Sequence, residues 1–224
     1  EITTFLVFGE KHKEKLIMMG IPAEKITVTG SPMADEIAAD VPQKSAALKK
    51  ALLITQPFVE DKLWTKPQQK IFFDMVQEVM NSLKDVSWTI KIHPREKASL
   101  YAKTFPKAGV SGGDLYKEIR EADIIFGVSS TALMEALLLN RPVIVLDLFG
   151  QVDKSNFSLG ELALYCMSSN EIILNYDPYF AMYNSKKFDE KRGQFIKEYF
   201  TALDGKSSQR IAAAILKRCI QKDI

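Results

Sequence analysis

Apolar residues along this chain follow two alternating patterns. Short runs rich in β-branched and aromatic residues recur at 5–8 (Phe-Leu-Val-Phe), 26–28, 51–54 (Ala-Leu-Leu-Ile), 88–92, 124–126 and 143–146 (Val-Ile-Val-Leu), with smaller ones at Val110 and 165–167. Between them lie helical stretches at 10–19, 33–39, 67–83, 97–104, 115–121 and 131–139. Residues 171–221 are mainly helical in pattern, with a stop at Gly205 and a last helix from Ser207. Short strands alternating with amphipathic helices predict an α/β fold, a Rossmann-like parallel sheet flanked by helices. The wholly apolar 51–54 run fits a strand covered on both faces. Polar residues with Pro42 at 40–44 read as a linker. The expected organisation is therefore the end of an N-terminal α/β unit with its linker (1–44), a Rossmann-like domain (45–170) and C-terminal helices (171–224).

In open parallel sheets, ligands bind outside the carboxyl ends of the strands, so candidate chemistry is sought there. The run Ile124-Ile125-Phe126 passes through Gly127 and Val128 into Ser129-Ser130-Thr131, and then into a helix. Such a turn collects free backbone N–H groups and suits an anion, most often a phosphate. The same hydroxyls also cap helices in any protein. His93 ends the 88–92 strand and precedes Pro94, which holds it in extended geometry and turns its imidazole outward. A histidine there can donate to a phosphate; the alternative is a turn histidine bonded to a carbonyl. Lys91, Arg95 and Glu96 beside it read as solvated charges. Glu135 lies one helical turn after Thr131, either facing ribose hydroxyls or solvated. Asp147 reads as a cap, and Gly112-Gly113 as a simple turn.

Composition removes several alternatives. With 30 basic and 28 acidic residues the net charge is +2, too even to imply a nucleic-acid surface. Two histidines cannot build a histidine-rich zinc site, and the two cysteines, Cys166 and Cys219, fit no CxxC pattern and read as free thiols in a reducing compartment. No apolar run reaches the ~20 residues that span a bilayer, and no GxxxxGK[ST] loop supports an NTPase. The chain starts within an expected strand and without Met, which reads as a piece of a longer protein.

Three segments carry a family resemblance. Gly9 through Leu16, Gly20-Ile21-Pro22 and Lys25-Ile26 to Thr29-Gly30-Ser31-Pro32 is similar to the GxxxxxxLxxxGIPxxKIxVTGxP stretch of GT-B-type glycosyltransferases. The non-hydrolysing UDP-N-acetylglucosamine 2-epimerases have a related stretch. Lys91-Ile92-His93-Pro94-Arg95-Glu96 looks like the K-x-HP-x-E segment of CDP-glycerol glycerophosphotransferases and related capsule enzymes. Residues 122–144, with Ser129-Ser130, Glu135-Ala136 and Pro142-Val143-Ile144, resemble the same group and the HP/SS-motif bacterial sialyltransferases. Asp204 to Arg210 adds a short match near the end.

The resemblance implies the C-terminal, donor-nucleotide-binding domain of a GT-B fold. It implies a glycosyltransferase or polyol-phosphate transferase of surface polysaccharide biosynthesis, with a nucleotide-sugar or CDP-polyol donor. His93, as the catalytic group, with Pro94, Ser129, Ser130 and Thr131, would hold the departing nucleotide phosphate, and Glu135 the ribose. It further implies no cofactor, no metal, and a saccharide acceptor held by the N-terminal part. The location would be cytoplasmic, with peripheral association at the inner membrane face left open. The alternatives are a UDP-N-acetylglucosamine 2-epimerase-like enzyme and a non-catalytic nucleotide-binding domain. Against an epimerase stands Ser129-Ser130-Thr131-Ala132-Leu133-Met134-Glu135, where epimerases usually carry Ser-Gly-Gly-x-x-Glu-Glu.

Overall fold

The computed structural model describes residues 4–150, 152 and 159–220. The chain forms two compact units, one of residues 42–188 and one of residues 1–41 with 189–224. Residues 171–224, grouped as C-terminal helices in the sequence reading, fall on both sides of the second boundary, and 221–224 lie outside the described residues.

The larger unit is the Rossmann-like α/β layer that the sequence predicts. Its strands are β3 (Lys50–Ile54), β4 (Ser87–Lys91), β5 (Gly109–Ser111), β6 (Ile124–Gly127), β7 (Val143–Leu146) and β8 (Ala163–Cys166), after β1 (Phe5–Val7) and β2 (Ile26–Val28) of the other unit. They form one parallel sheet in the order β5-β4-β3-β6-β7-β8. The chain winds outward from β3 to β5, then returns to the far side of β3 and winds the other way. The reversal between β3 and β6 is the switch point at which such sheets open a crevice.

Every residue of β6 and β7 is buried, which explains their continuous apolar sequence. The helix α3 (Lys66–Ser82), which follows α1 (Glu10–Met18) and α2 (Pro32–Ala38), starts at a capping box between Thr65 and Gln68 and has Pro67 in its first turn. It buries Phe72, Phe73, Met75, Val76 and Val79. The other helices of the unit are α4 (Ala98–Thr104), α5 (Leu115–Glu121), α6 (Ala132–Leu138) and α7 (Ser169–Tyr183), and α8 (Lys186–Phe200) begins in it. Asp123, just before β6, accepts from the backbone N–H groups of Lys49 and Lys50 (2.9 and 2.8 Å) and from the Ser45 hydroxyl. Its carboxylate thus fixes where the linker enters β3. Gly127 has no room for a side chain: a Cβ would stand 2.9 Å from the Leu133 Cδ2 and 3.3 Å from the Ile54 carbonyl oxygen.

The smaller unit joins two segments distant in sequence. The strands β1 and β2 pair in parallel, with Phe5 opposite Ile26 and Val7 opposite Val28. The last helix, α9 (Ser207–Ile220), is seated by the motif that precedes and opens it. Asp35 of α2 accepts from the N–H groups of Ser207 and Ser208 at 2.8 and 2.7 Å. Burial pushes its carboxyl up, but these bonds outweigh that and hold it below the usual Asp value. Arg210 donates to the Thr29 carbonyl at 2.7 Å and pairs with Asp204 at 2.8 Å. Gly30 adopts φ +85° and packs directly on Ser207, so both its backbone angle and its lack of a side chain are needed there. The matches at 20–32 and 204–210 are therefore two halves of one contact.

Cys166 is buried, with its thiol pushed up to about 12 by burial, and Cys219 is exposed; neither is in a disulfide. Among the described residues no helix is long and apolar enough to cross a membrane.

Candidate functional site

At the switch point the segments leaving β3, β4 and β6 enclose an open cleft of about 420 Å³. Thr55 and Gln56 line it from β3, Lys91, His93, Pro94 and Arg95 from β4, and Ser129, Ser130 and Thr131 from the turn after β6. The structure thus brings together five of the six residues singled out in the sequence. Glu135 is outside the cleft lining.

The His93 turn is held from beneath by Glu96. This carboxylate accepts from the His93 N–H at 3.0 Å and from the hydroxyls of Thr55 and Tyr101. Glu96 is 9 % exposed and Tyr101 2 %, so the reading of Glu96 as a solvated charge is corrected. Burying a carboxylate is costly unless donors surround it, and here they come from three segments. Burial and the Glu96 contact raise the Tyr101 hydroxyl far above the usual tyrosine range, which keeps it a proton donor. The signal in the sequence was the spacing: an acidic residue three positions after His93, with proline between, closes a turn whose Glu96 N–H donates back to the His93 carbonyl at 2.9 Å.

The imidazole is oriented by the same turn. Its Nδ1 accepts from the Arg95 N–H at 3.2 Å. A neutral ring that accepts at Nδ1 carries its proton on Nε2, so His93 is prepared as a donor. Arg95 is exposed, as the sequence reading has it, and its guanidinium makes a two-point surface pair with Asp61, with NH2 at 2.8 Å.

The serine turn differs from expectation in one respect. Ser130 Oγ accepts from the Ala132 N–H at 3.2 Å, but Thr131, at the start of α6, makes no side-chain cap. Of the hydroxyls expected to cap the helix, only that of Ser130 does so, which leaves the exposed Thr131 hydroxyl at the cleft. Ser129 is bonded to Gln56, whose Oε1 accepts from the Ser129 N–H at 2.9 Å and from its hydroxyl at 3.3 Å. Nothing in the local sequence marked Gln56, since its partner lies 73 residues away.

Glu135 is 7 % exposed and therefore not a solvated helix residue. Its Oε2 is buried without a hydrogen-bond partner. Burial raises its carboxyl above the ordinary glutamate value, and a hydrogen bond with Tyr116 opposes this in part. Asp147 is buried and accepts from the Val152 N–H at 3.0 Å. Gly113 donates to Ser111 Oγ at 2.9 Å in a turn away from the cleft. Among the described residues no three His, Cys, Asp or Glu side chains cluster as metal ligands.

A family model described as UDP-N-acetylglucosamine 2-epimerase matches residues 3–216. Among solved structures, the chain is similar to the UDP-GlcNAc 2-epimerase of Methanocaldococcus jannaschii in complex with UDP-GlcNAc and UDP, at 19 % identity and TM-score 0.67, over 96 % of this chain and 61 % of that one. It is similar to the wall teichoic acid polymerase TagF, in a variant soaked with CDPG, at 14 % identity and TM-score 0.62, over 98 % and 58 %. It is also similar to the Neisseria meningitidis UDP-GlcNAc 2-epimerase bound to UDP-GlcNAc, at 14 % identity and TM-score 0.61, over 96 % and 61 %. This chain spans about three-fifths of the length of each. No curated protein sequence matches it. At these identities the likeness gives the fold, that of GT-B proteins.

Two outcomes test this geometry. Glu96→Ala leaves three donors without their acceptor and is expected to cost about 1–3 kcal/mol in thermal or urea unfolding; a change within 0.3 kcal/mol, roughly the scatter of a neutral surface substitution, would contradict the anchoring role. For Glu135, a raised carboxyl means that the fold favours the protonated form. That contribution is present below the ordinary glutamate pKa and lost as pH rises through the folded-state value. Glu135→Met is therefore expected to stabilise by up to about 1 kcal/mol at about pH 8 and by less at about pH 4. Equal gains at both pH values in calorimetric unfolding would count against it.

Proposed function

The chain belongs to the UDP-N-acetylglucosamine 2-epimerase family, and on that premise we propose that the switch-point cleft binds the phosphates of a nucleotide-activated sugar or polyol. The observation that carries this reading is the convergence of His93, whose Nδ1 accepts from the Arg95 N–H, and the Ser130 and Thr131 hydroxyls at the open ends of β4 and β6. Protein donors that meet a phosphate there stabilise the negative charge that grows when the nucleotide departs. Glu135 is the residue we assign to the ribose. That assignment rests on the family resemblance and on its place one turn after Thr131, since Glu135 is buried and outside the cleft lining.

Two reactions share this use of the cleft. The HP and serine-pair segments and the likeness to TagF favour transfer of a glycosyl or polyol-phosphate group to an acceptor held by other parts of the protein. The family match favours 2-epimerisation of a UDP-sugar, so the Ser129-Ser130-Thr131 turn, taken from the sequence as evidence against an epimerase, does not set the chain outside that family. Incubating the protein with UDP-GlcNAc, alone and with a saccharide acceptor, separates them: a 2-epimer formed without acceptor favours the second, and acceptor-dependent release of nucleotide the first.

Binding tests the premise common to both. UDP or CDP is expected to bind in titration calorimetry, and His93→Ala and Ser130→Ala are each expected to weaken it at least tenfold, about 1.4 kcal/mol. Unchanged affinity in both variants would remove the cleft as the phosphate site.

A further inference from the structure

Ser129 was expected to offer its backbone N–H and hydroxyl to the ligand, yet both are directed at Gln56 Oε1. The orientation of this amide is not ambiguous. A backbone N–H at 2.9 Å can only face the oxygen end of the Gln56 side chain. The nitrogen end is therefore turned away from Ser129. Gln56 lines the cleft, and among the described residues its Nε2 donates to no protein acceptor. Of the positive groups nearby, Arg95 is already committed to Asp61.

We propose that Gln56 is a phosphate-binding residue of this cleft, with Ser129 acting through it as the group that orients its amide. This rests on the cleft being the nucleotide site. Ser129 fixes Oε1, and Gln56 in turn presents two N–H donors to the anion. A neutral donor set this way adds hydrogen bonds to the phosphate without adding a charge to be desolvated. Ser129 then acts on the ligand through a side chain from β3, across the strand reversal itself, while Ser130 and Thr131 face it directly.

Two substitutions separate this role from simple coverage of Ser129. Gln56→Glu keeps an oxygen for Ser129 and so preserves the local fold, but it replaces the donors with negative charge. Gln56→Ala removes both ends. Titration of UDP and CDP into the protein is expected to show affinity at least tenfold weaker for Gln56→Glu and at least threefold weaker for Gln56→Ala, with the Gln56→Glu melting temperature unchanged. Gln56→Ala binding as tightly as the unaltered protein, or more tightly, would overturn the inference, since Gln56 would then only cover Ser129. His93→Ala run in parallel locates a failure. If it weakens binding while Gln56→Ala does not, this inference alone falls. If neither weakens binding, the reading of the cleft falls and this inference with it.

Discussion

The buried carboxylate of Glu96 holds the end of the sheet in the form on which the cleft depends. Three segments converge on it: Thr55 at the end of β3, the His93 turn after β4, and Tyr101 in α4. A carboxylate removed from water to this extent is tolerated only because each of these donors faces it. In return it fixes the spacing between β3 and β4 just where the polar residues emerge. The His93 ring is then set by a second bond within the same turn, from Arg95 N–H to Nδ1. The position and ring orientation of the cleft histidine thus follow from a turn of four residues and one buried acid.

The opposite wall is built by close packing. Gly127 lets β6 pass against the Ile54 carbonyl and under Leu133, and the chain emerges beside Gln56. Ser129 and Gln56 then bond across the strand reversal, β3 to β6. The sheet order makes this pairing available, because only at that reversal do the segments after two neighbouring strands turn apart and leave a crevice. Fold alone assigns no reaction. The groups collected there are hydroxyls and the Gln56 amide, one histidine, a lysine from β4 and the Arg95–Asp61 pair, and the proposed phosphate role rests on the donors among them.

Much of the architecture was legible in the sequence because it rests on local periodicity. The apolar runs at 51–54, 124–126 and 143–146 became buried strands, and Gly20 and Pro67 marked a helix end and a helix start, whereas α8 ends at Phe200, ahead of the stop expected at Gly205. His93 and the serine turn could be placed because both lie immediately beyond a strand. Gln56 was not legible as a site residue, because its pairing with Ser129 spans 73 residues and only the strand order creates it. For Glu96 the spacing from His93 marked the turn, but its contact with Thr55, 41 residues away, was not visible. Glu96 looked solvated because charged residues usually are. The docking of Ser207–Arg210 against Thr29 and Gly30 was likewise visible only as two separate motif matches until the structure joined them.

A crystal structure of the protein with UDP or CDP bound tests the phosphate site most directly. Phosphate oxygens are expected within hydrogen-bonding distance of His93 Nε2 and of the Ser130 or Thr131 hydroxyl, at the ends of β4 and β6. A nucleotide found elsewhere on the molecule, with His93 Nε2 and the serine turn facing only solvent, would contradict it.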